Sequence, residues 1–135
     1  MSSRGESTWA TLRSYEAHYR SLDLAHRAGV KIGMGCDFVN DATMGSTYDH
    51  ASMEFERMKA AGFSAMEIIQ AATRTNAELL MMQDRVGTLE QGKLADLILV
   101  EGNPLDAITL LCDAGHVKTV LQDGRVVKDI RGARG

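Results

Sequence analysis

Apolar residues in the first half of the chain recur every three or four positions, which is the spacing of one face of an α-helix. The third of these runs opens with Ser64 and, three residues later, Glu67, a pairing typical of a capping box. The same run is expected to break near residues 73–75, and Thr73 and Asn76 are interpreted as helix-capping residues. The pattern therefore predicts helices over residues 8–28, 50–61 and 64–82.

A different pattern occupies residues 30–35, where Val30, Ile32 and Met34 alternate with a lysine and with glycines. Short apolar runs bounded by glycine are typical of strands buried inside a parallel sheet. Glycines within such a strand usually indicate that another group approaches the backbone closely. The pattern therefore predicts a buried parallel strand after the first helix, and Asp37 follows that strand directly.

The second half of the chain changes to a β pattern. The apolar run 97–100 predicts one strand, and the segments 117–121 and 125–128 predict two more. Asp123 and Gly124 lie between the last two, and this dipeptide is a strong signal for a tight hairpin. We therefore predict two parts: residues 1–84, built on a strand with helices, and residues 85–135, a small β unit.

Composition adds limits to this picture. The chain has 135 residues, a formal net charge of -3 and no basic cluster, which argues against a nucleic-acid partner. No apolar run approaches the roughly 18–20 residues that span a membrane. Cys36 and Cys112 lie in no metal-ligand spacing, and we interpret them as buried or half-buried thiols of a cytoplasmic protein.

Asp37 is the main candidate for chemistry. A carboxylate just past a buried strand can ligate a metal ion or accept a proton from water. From position alone, a helix cap or an Asx-turn is the favoured explanation of Asp37. His50 follows a long polar loop and could contact a substrate, or it could simply begin the second helix.

Three motifs in order carry a family resemblance. They are G-V-K-I-G-M-G-C-D at residues 29–37, A-T-R-T-N-A-E-L-L at residues 72–80 and V-G-T-L-E-Q-G-K-L-A-D-L at residues 86–97. In this order they resemble the C-terminal portion of the metal-dependent amidohydrolase superfamily, and are most similar to its imidazolonepropionase-like and prolidase-like members. The resemblance covers residues 18–127.

The resemblance implies an α/β fold that is the C-terminal fragment of a (β/α)₈ TIM-type barrel, namely its last strand and flanking helices, followed by part of a small β-sandwich. It implies that Asp37 is a catalytic residue and a metal ligand, as base or as ligand of a divalent metal, zinc by expectation. His50 is a candidate substrate-binding residue, and Asp96 is expected to hold a turn.

The chain departs from the family pattern at several positions. Cys36 replaces the usual Thr or Ser before the aspartate, and Met81 replaces a glycine, which suggests a shifted helix end. The His-x-His pair, the lysine and the two later histidines that complete the metal site in the family have no counterpart in this sequence. The four histidines present do not form a familiar zinc motif.

Two functions stay open at this point. The first is a metal-dependent hydrolase, or its C-terminal piece, that cleaves C–N or amide bonds of a small-molecule amide or peptide-like substrate. The second is a non-catalytic truncated fragment or subunit, which would associate through exposed strand edges as a homo-oligomer or with a complementary N-terminal chain. Nothing in the sequence favours a free-standing ligand-binding module.

Overall fold

The structure is a computed structural model that describes the backbone of residues 4–36 and 47–130 and the side chains of residues 16–36 and 52–130. Helices precede a small sheet, as the sequence predicts. In chain order the helices are α1 (Arg4–Arg27), α2 (Thr47–Ala60), α3 (Ala65–Gln70), a π-helical turn (Ala71–Thr75) and α4 (Asn76–Leu79). The strands are β1 (Leu97–Val100), β2 (Val117–Gln122) and β3 (Arg125–Asp129), with a 3₁₀ turn (Ile108–Cys112) between β1 and β2.

Helices α1 and α2 end at the glycines that the sequence predicts. After α1, the Gly29 N–H donates to the His26 carbonyl at 2.9 Å and the Val30 N–H to the Ala25 carbonyl at 3.0 Å. These two bonds form a Schellman motif, which places Gly29 in the left-handed region at φ 71°. Gly62 ends α2 in the same way, with φ 92°.

Helix α4 ends in the same motif, but with Met81 at the left-handed position. The Met81 N–H donates to Glu78 at 3.1 Å and the Met82 N–H to Ala77 at 2.8 Å, with φ of Met81 at 56°. The prediction of a shifted helix end is therefore wrong. The hydrogen bonds of the motif keep the cap in place even though the residue has a Cβ.

The start of α3 confirms the predicted capping box. The Ser64 side chain accepts the Glu67 N–H, and the Glu67 carboxylate accepts the Ser64 N–H. The expected break near residues 73–75 is also present, as the π-helical turn Ala71–Thr75 between α3 and α4. Short π-helical segments of this kind are frequent at functional sites.

The buried parallel strand predicted over residues 30–35 is not formed. This segment forms neither a helix nor a strand. Val30 is 55% exposed, and Ile32 and Met34 are half-buried. A strand requires a neighbouring strand for its N–H and C=O groups. No such neighbour lies beside the segment among the described residues. The N–H groups of Val30 and Met34 instead donate to carbonyls of α1 and of the π-helical turn.

The three strands form one antiparallel sheet in the order β1-β2-β3. The hairpin between β2 and β3 confirms the Asp-Gly prediction, since Asp123 and Gly124 both have positive φ, at 49° and 74°. The Asp96 carboxylate accepts the Asp123 N–H at 2.6 Å, so Asp96 holds this turn as predicted. Within the described residues, β1 and β3 each have a single strand neighbour.

The hydrophobic core lies between the helices and the 3₁₀ turn. Ile68 is fully buried at its centre, and Ile108 is 2% exposed. The cluster therefore joins residues from both sides of position 85, which we predicted as a domain boundary. Its buried members are Met58, Ala61, Phe63, Ile68, Ala71, Ile108 and Leu111.

Candidate functional site

The candidate site residues fall at the edge of what the structure describes. Asp37 lies outside the described residues, and so does the side chain of His50, whose backbone belongs to the first turn of α2. Their catalytic, metal-binding and substrate-binding roles stay predictions. The structure does describe the segment that leads directly into Asp37, residues 30–36, together with contacts of that segment to other described residues.

Both backbone groups of Met34 are bound by the helical stretch that follows α3. The Met34 N–H donates to the Ala71 carbonyl at 3.3 Å. The Met34 carbonyl accepts a hydrogen bond from Nδ2 of Asn76 at 2.6 Å. The chain is thus fixed three residues before Asp37, by one carbonyl of the π-helical turn and one side chain of α4.

Gly33 allows this close approach. A Cβ at Gly33 would overlap Oδ1 of Asn76 and would lie 2.6 Å from Cδ1 of Leu79, well inside van der Waals contact. A Cβ at Gly35 would meet nothing within 4 Å. The sequence-based expectation that a group approaches these glycines is therefore met at Gly33, and the group is the Asn76 side chain.

An ion pair fixes the beginning of the same segment. Nζ of Lys31 lies 2.6 Å from the Glu78 carboxylate on α4, and Arg74 lies 3.6 Å from its other oxygen. The hydrogen bond from Lys31 lowers the pKa of Glu78 below its ordinary value. Because Lys31 and Arg74 are largely exposed, the pair contributes little stability by itself, but it orients Lys31 toward α4.

A second polar contact joins the end of α1 to the start of α3. The ring of His26 stacks on Phe63 at 3.9 Å, and its Nε2 lies 3.0 Å from the Glu67 carboxylate. Hydrogen bonds from Ser64 and from His26 lower the pKa of Glu67 to about 2. His26 at the end of α1 therefore packs against the residues that open α3.

The two cysteines differ in their surroundings. Cys36, which precedes Asp37, is exposed, so the expectation that it is buried or half-buried is wrong. Cys112 is half-buried, and its thiol donates to the Ser52 carbonyl at 3.3 Å. Burial raises the pKa of the Cys112 thiol. Cys36 is therefore the more accessible of the two thiols.

An apolar cleft of about 680 Å³ lies beside α4. Few of the residues that line the cleft are polar, and these include Asn76, Thr88 and Asp96. Its apolar members include Leu80 and Leu89, which are 67% and 81% exposed. The cleft therefore joins the α4 region to the segment that precedes β1.

The described residues do not make a metal site by themselves. No group of three or more His, Cys, Asp or Glu side chains within that part of the chain could hold a metal ion. Within the same part, no helix is long and apolar enough to cross a bilayer.

Sequence reasoning missed the role of Asn76. We interpreted it as a helix cap, and it instead reaches across to the carbonyl of a residue 42 positions earlier. Thr73, interpreted in the same way, bonds the Ile69 carbonyl one turn back at 2.6 Å. The glycine pattern at Gly33 signalled a close contact but could not identify the contacting residue.

Comparison with known proteins establishes the family. The sequence profile described as "Amidohydrolase family" matches residues 11–127, which is most of the chain. This chain belongs to the amidohydrolase family. The family is one of hydrolases, and the match confirms the resemblance inferred from the three motifs.

Similar proteins carry related names. The chain is 32% identical to ochratoxinase of Aspergillus niger over 135 residues, covering 95% of this chain and 27% of that protein. It is 31% identical to imidazolonepropionase of Thermoanaerobacter pseudethanolicus over 106 residues, covering 76% of this chain and 25% of that protein. None of these relatives favours the alternative of a non-catalytic protein.

Solved structures agree with the sequence matches. A Xaa-Pro dipeptidase with methionine bound in its active site superposes with a TM-score of 0.66 and 38% identity, covering 82% of this chain and 25% of the other. Ochratoxinase of A. niger superposes with a TM-score of 0.76 and 25% identity, covering 94% of this chain and 28% of the other. The chain thus spans about a quarter of the length of the relatives it matches.

Proposed function

We propose that this chain forms the C-terminal part of a hydrolase that cleaves carbon–nitrogen bonds, with Asp37 as its catalytic carboxylate. The observation that carries the proposal is the family match over residues 11–127, which includes Asp37 and the segments on both sides of it. The named relatives include an imidazolonepropionase and a Xaa-Pro dipeptidase. We accordingly assign a small amide or peptide-like substrate.

Asp37 has one of two roles in this proposal. A carboxylate at this position either accepts a proton from the attacking water or ligates a divalent cation, which we take to be zinc. When bound, such a cation polarises the scissile carbonyl and activates water. His50, in the first turn of α2, is assigned to the substrate side of the same site.

The rest of the enzyme supplies the remaining ligands in this proposal. The described residues contain no cluster of three ligating side chains, and the chain spans about a quarter of its relatives. We place residues 1–84 in the C-terminal part of the (β/α)₈ barrel of that enzyme and residues 85–135 in a composite β-sandwich. The complementary segments belong either to the same polypeptide or to a second chain, and the assembly is a homo-oligomer or that complex.

The test compares two aspartates in the enzyme that contains this chain. Asp37→Asn removes the proposed carboxylate, and Asp84→Asn makes the same chemical change at an exposed position after α4. Hydrolysis of N-acyl amino acids and Xaa-Pro dipeptides is measured with added zinc. We expect Asp37→Asn to lower kcat/KM by at least about 10³-fold, the scale of a lost base or ligand, and Asp84→Asn to leave it unchanged.

Metal content of the same two proteins separates the roles of Asp37. Loss of zinc together with activity in Asp37→Asn assigns Asp37 as a ligand. Retained zinc with lost activity assigns it as the base. Full hydrolysis by Asp37→Asn would refute the proposal, because a carboxamide neither accepts the proton nor replaces an anionic ligand well.

A further inference from the structure

The backbone of Met34 has both its hydrogen-bonding groups on one helical stretch. Its N–H donates to the Ala71 carbonyl and its carbonyl accepts from Nδ2 of Asn76. These two contacts come from residues five positions apart along the helices, at either end of the π-helical turn. The helical stretch thus binds both the N–H and the carbonyl of Met34, as a neighbouring strand would, but it does so at this single residue.

An asparagine fits this contact through both polar atoms of its side chain. Nδ2 supplies the donor that the Met34 carbonyl needs, and Oδ1 occupies the space that a Cβ at Gly33 would take. An aspartate has the same shape but only acceptor atoms when ionised, so it would face the Met34 carbonyl without a hydrogen to donate. Asn76 is half-buried, which reduces the competition from water for this bond.

We propose that Asn76 is a positioning residue: through the Met34 carbonyl and Gly33, it fixes the chain that leads into Asp37. The inference rests on the proposed function, since its consequence for activity assumes that Asp37 is the catalytic carboxylate. Displacing a reacting group by about 1 Å can reduce the rate by about 10²-fold. A hydrogen bond three residues before that group therefore contributes to the rate without any contact with the substrate.

Amide hydrogen exchange at Met34 tests the contact without reference to activity. The probes are the full chain, Asn76→Asp, Asn76→Ala and the matched control Thr73→Ala, whose side-chain bond stays within its own helix. The Ile68 N–H, bonded to the Ser64 carbonyl in the core, reports global unfolding in the same samples. We expect exchange at Met34 to rise by about tenfold or more in both Asn76 variants and by less than about twofold in Thr73→Ala.

Unchanged exchange at Met34 in Asn76→Asp would overturn the inference. So would a rise at Met34 that Ile68 matches in both Asn76 variants, because Asn76 would then support the whole fold rather than this segment. A selective rise at Met34 supports it, even if one of the two variants is too unstable to measure.

Activity provides the second arm. In the enzyme that contains this chain, we expect Asn76→Asp to lower kcat by about tenfold or more while KM changes by less than about twofold, the split expected when a reacting group is misplaced. If exchange rises selectively but Asp37→Asn stays active, the proposed function fails and the Met34 contact stands. If Asp37→Asn is inactive but Met34 exchange is unchanged, the inference alone fails.

Discussion

Two segments of this protein begin with the same residues and fold differently. Val30 and Lys31 open the segment that leads into Asp37, and Val117 and Lys118 open β2. Each lysine forms an ion pair with a glutamate, at 2.6 Å from Glu78 and at 2.8 Å from Glu101. However, Val117 is 6% exposed and Val30 is 55% exposed.

The difference lies in the neighbours of each segment. β2 is the central strand of its sheet and pairs with β1 and β3. Residues 30–36 have no strand beside them among the described residues, and a helix binds their backbone at Met34 instead. An apolar alternating pattern is therefore not sufficient to form a strand, which also requires partners that supply its hydrogen bonds.

The largest expected effect comes from the core that both regions share. Ile32 and Met34 pack against the same cluster as Val100 of β1, with Ile68 buried at its centre. Ile68→Ala should lower the free energy of unfolding by about 3 kcal/mol, since it opens a cavity that cannot collapse fully.

Ile98→Ala on β1 is the matched control, because Ile98 is 48% exposed. Urea unfolding should show a loss of less than about 1 kcal/mol for this variant. Equal losses for the two isoleucines would contradict the shared core.

A smaller effect is expected where the helix meets the segment. Gly33→Ala places a Cβ against Asn76 and Leu79, so it should break the Asn76–Met34 bond and lower the free energy of unfolding by about 1–2 kcal/mol. A Cβ at Gly35 would meet nothing within 4 Å. Gly35→Ala should therefore leave the free energy of unfolding unchanged or raise it by up to about 1 kcal/mol. Urea unfolding of the two alanine variants makes the comparison, and a tolerated Gly33→Ala would mean that the helix does not hold the segment.

Met81 provides a stabilising prediction at the end of α4. This residue is 88% exposed and adopts φ 56°, a conformation that costs a residue with a Cβ about 1 kcal/mol relative to glycine. Met81→Gly should therefore raise the melting temperature by about 3–5 °C. Met81→Ala keeps the Cβ and should not raise the melting temperature. A similar gain for both variants would mean that the effect comes from loss of the methionine side chain and not from relief of the backbone conformation.

The smallest expected effect concerns acid stability at the start of α3. The Ser64 and His26 hydrogen bonds lower the pKa of Glu67 to about 2 from an ordinary value of 4.5. A lowered pKa means stability that is present above pH 4.5 and is lost as the pH falls toward 2. Because the carboxylate is largely exposed, the contribution should stay below about 1 kcal/mol.

Glu67→Gln tests this pH dependence, since glutamine can still complete the capping box. Unfolding midpoints of the wild type and the variant should converge as the pH falls from 4.5 to 2. A constant difference across that range would mean that the Glu67 charge does not contribute.

Much of the fold follows from local patterns. The capping box at Ser64, the ends of α1 and α2 at Gly29 and Gly62, and the Asp123–Gly124 hairpin are each fixed by residues within a few positions of one another. Such signals can be read from a sequence because the physics that produces them is local. The family also follows from the order of its motifs.

The contacts of the candidate site could not be predicted in the same way. The partner of Met34 is Asn76, 42 positions later, and the partner of His26 is Glu67, 41 positions later. Neither spacing is a recognisable motif, because these pairs depend on how the helices pack. The exposure of Cys36 and the absence of a strand over residues 30–35 have the same origin in tertiary surroundings.

Hydrogen exchange along residues 31–36 of the unmodified chain tests most directly whether a helix, rather than a strand, holds the segment that leads into Asp37. Met34 should be the slowest amide of this segment, since its N–H is bonded to Ala71. Amides of β2 that bond β1 or β3 should exchange more slowly still. Two results would contradict the claim that a helix holds this segment. One is protection at alternate residues, as in a paired strand, and the other is rapid exchange at Met34.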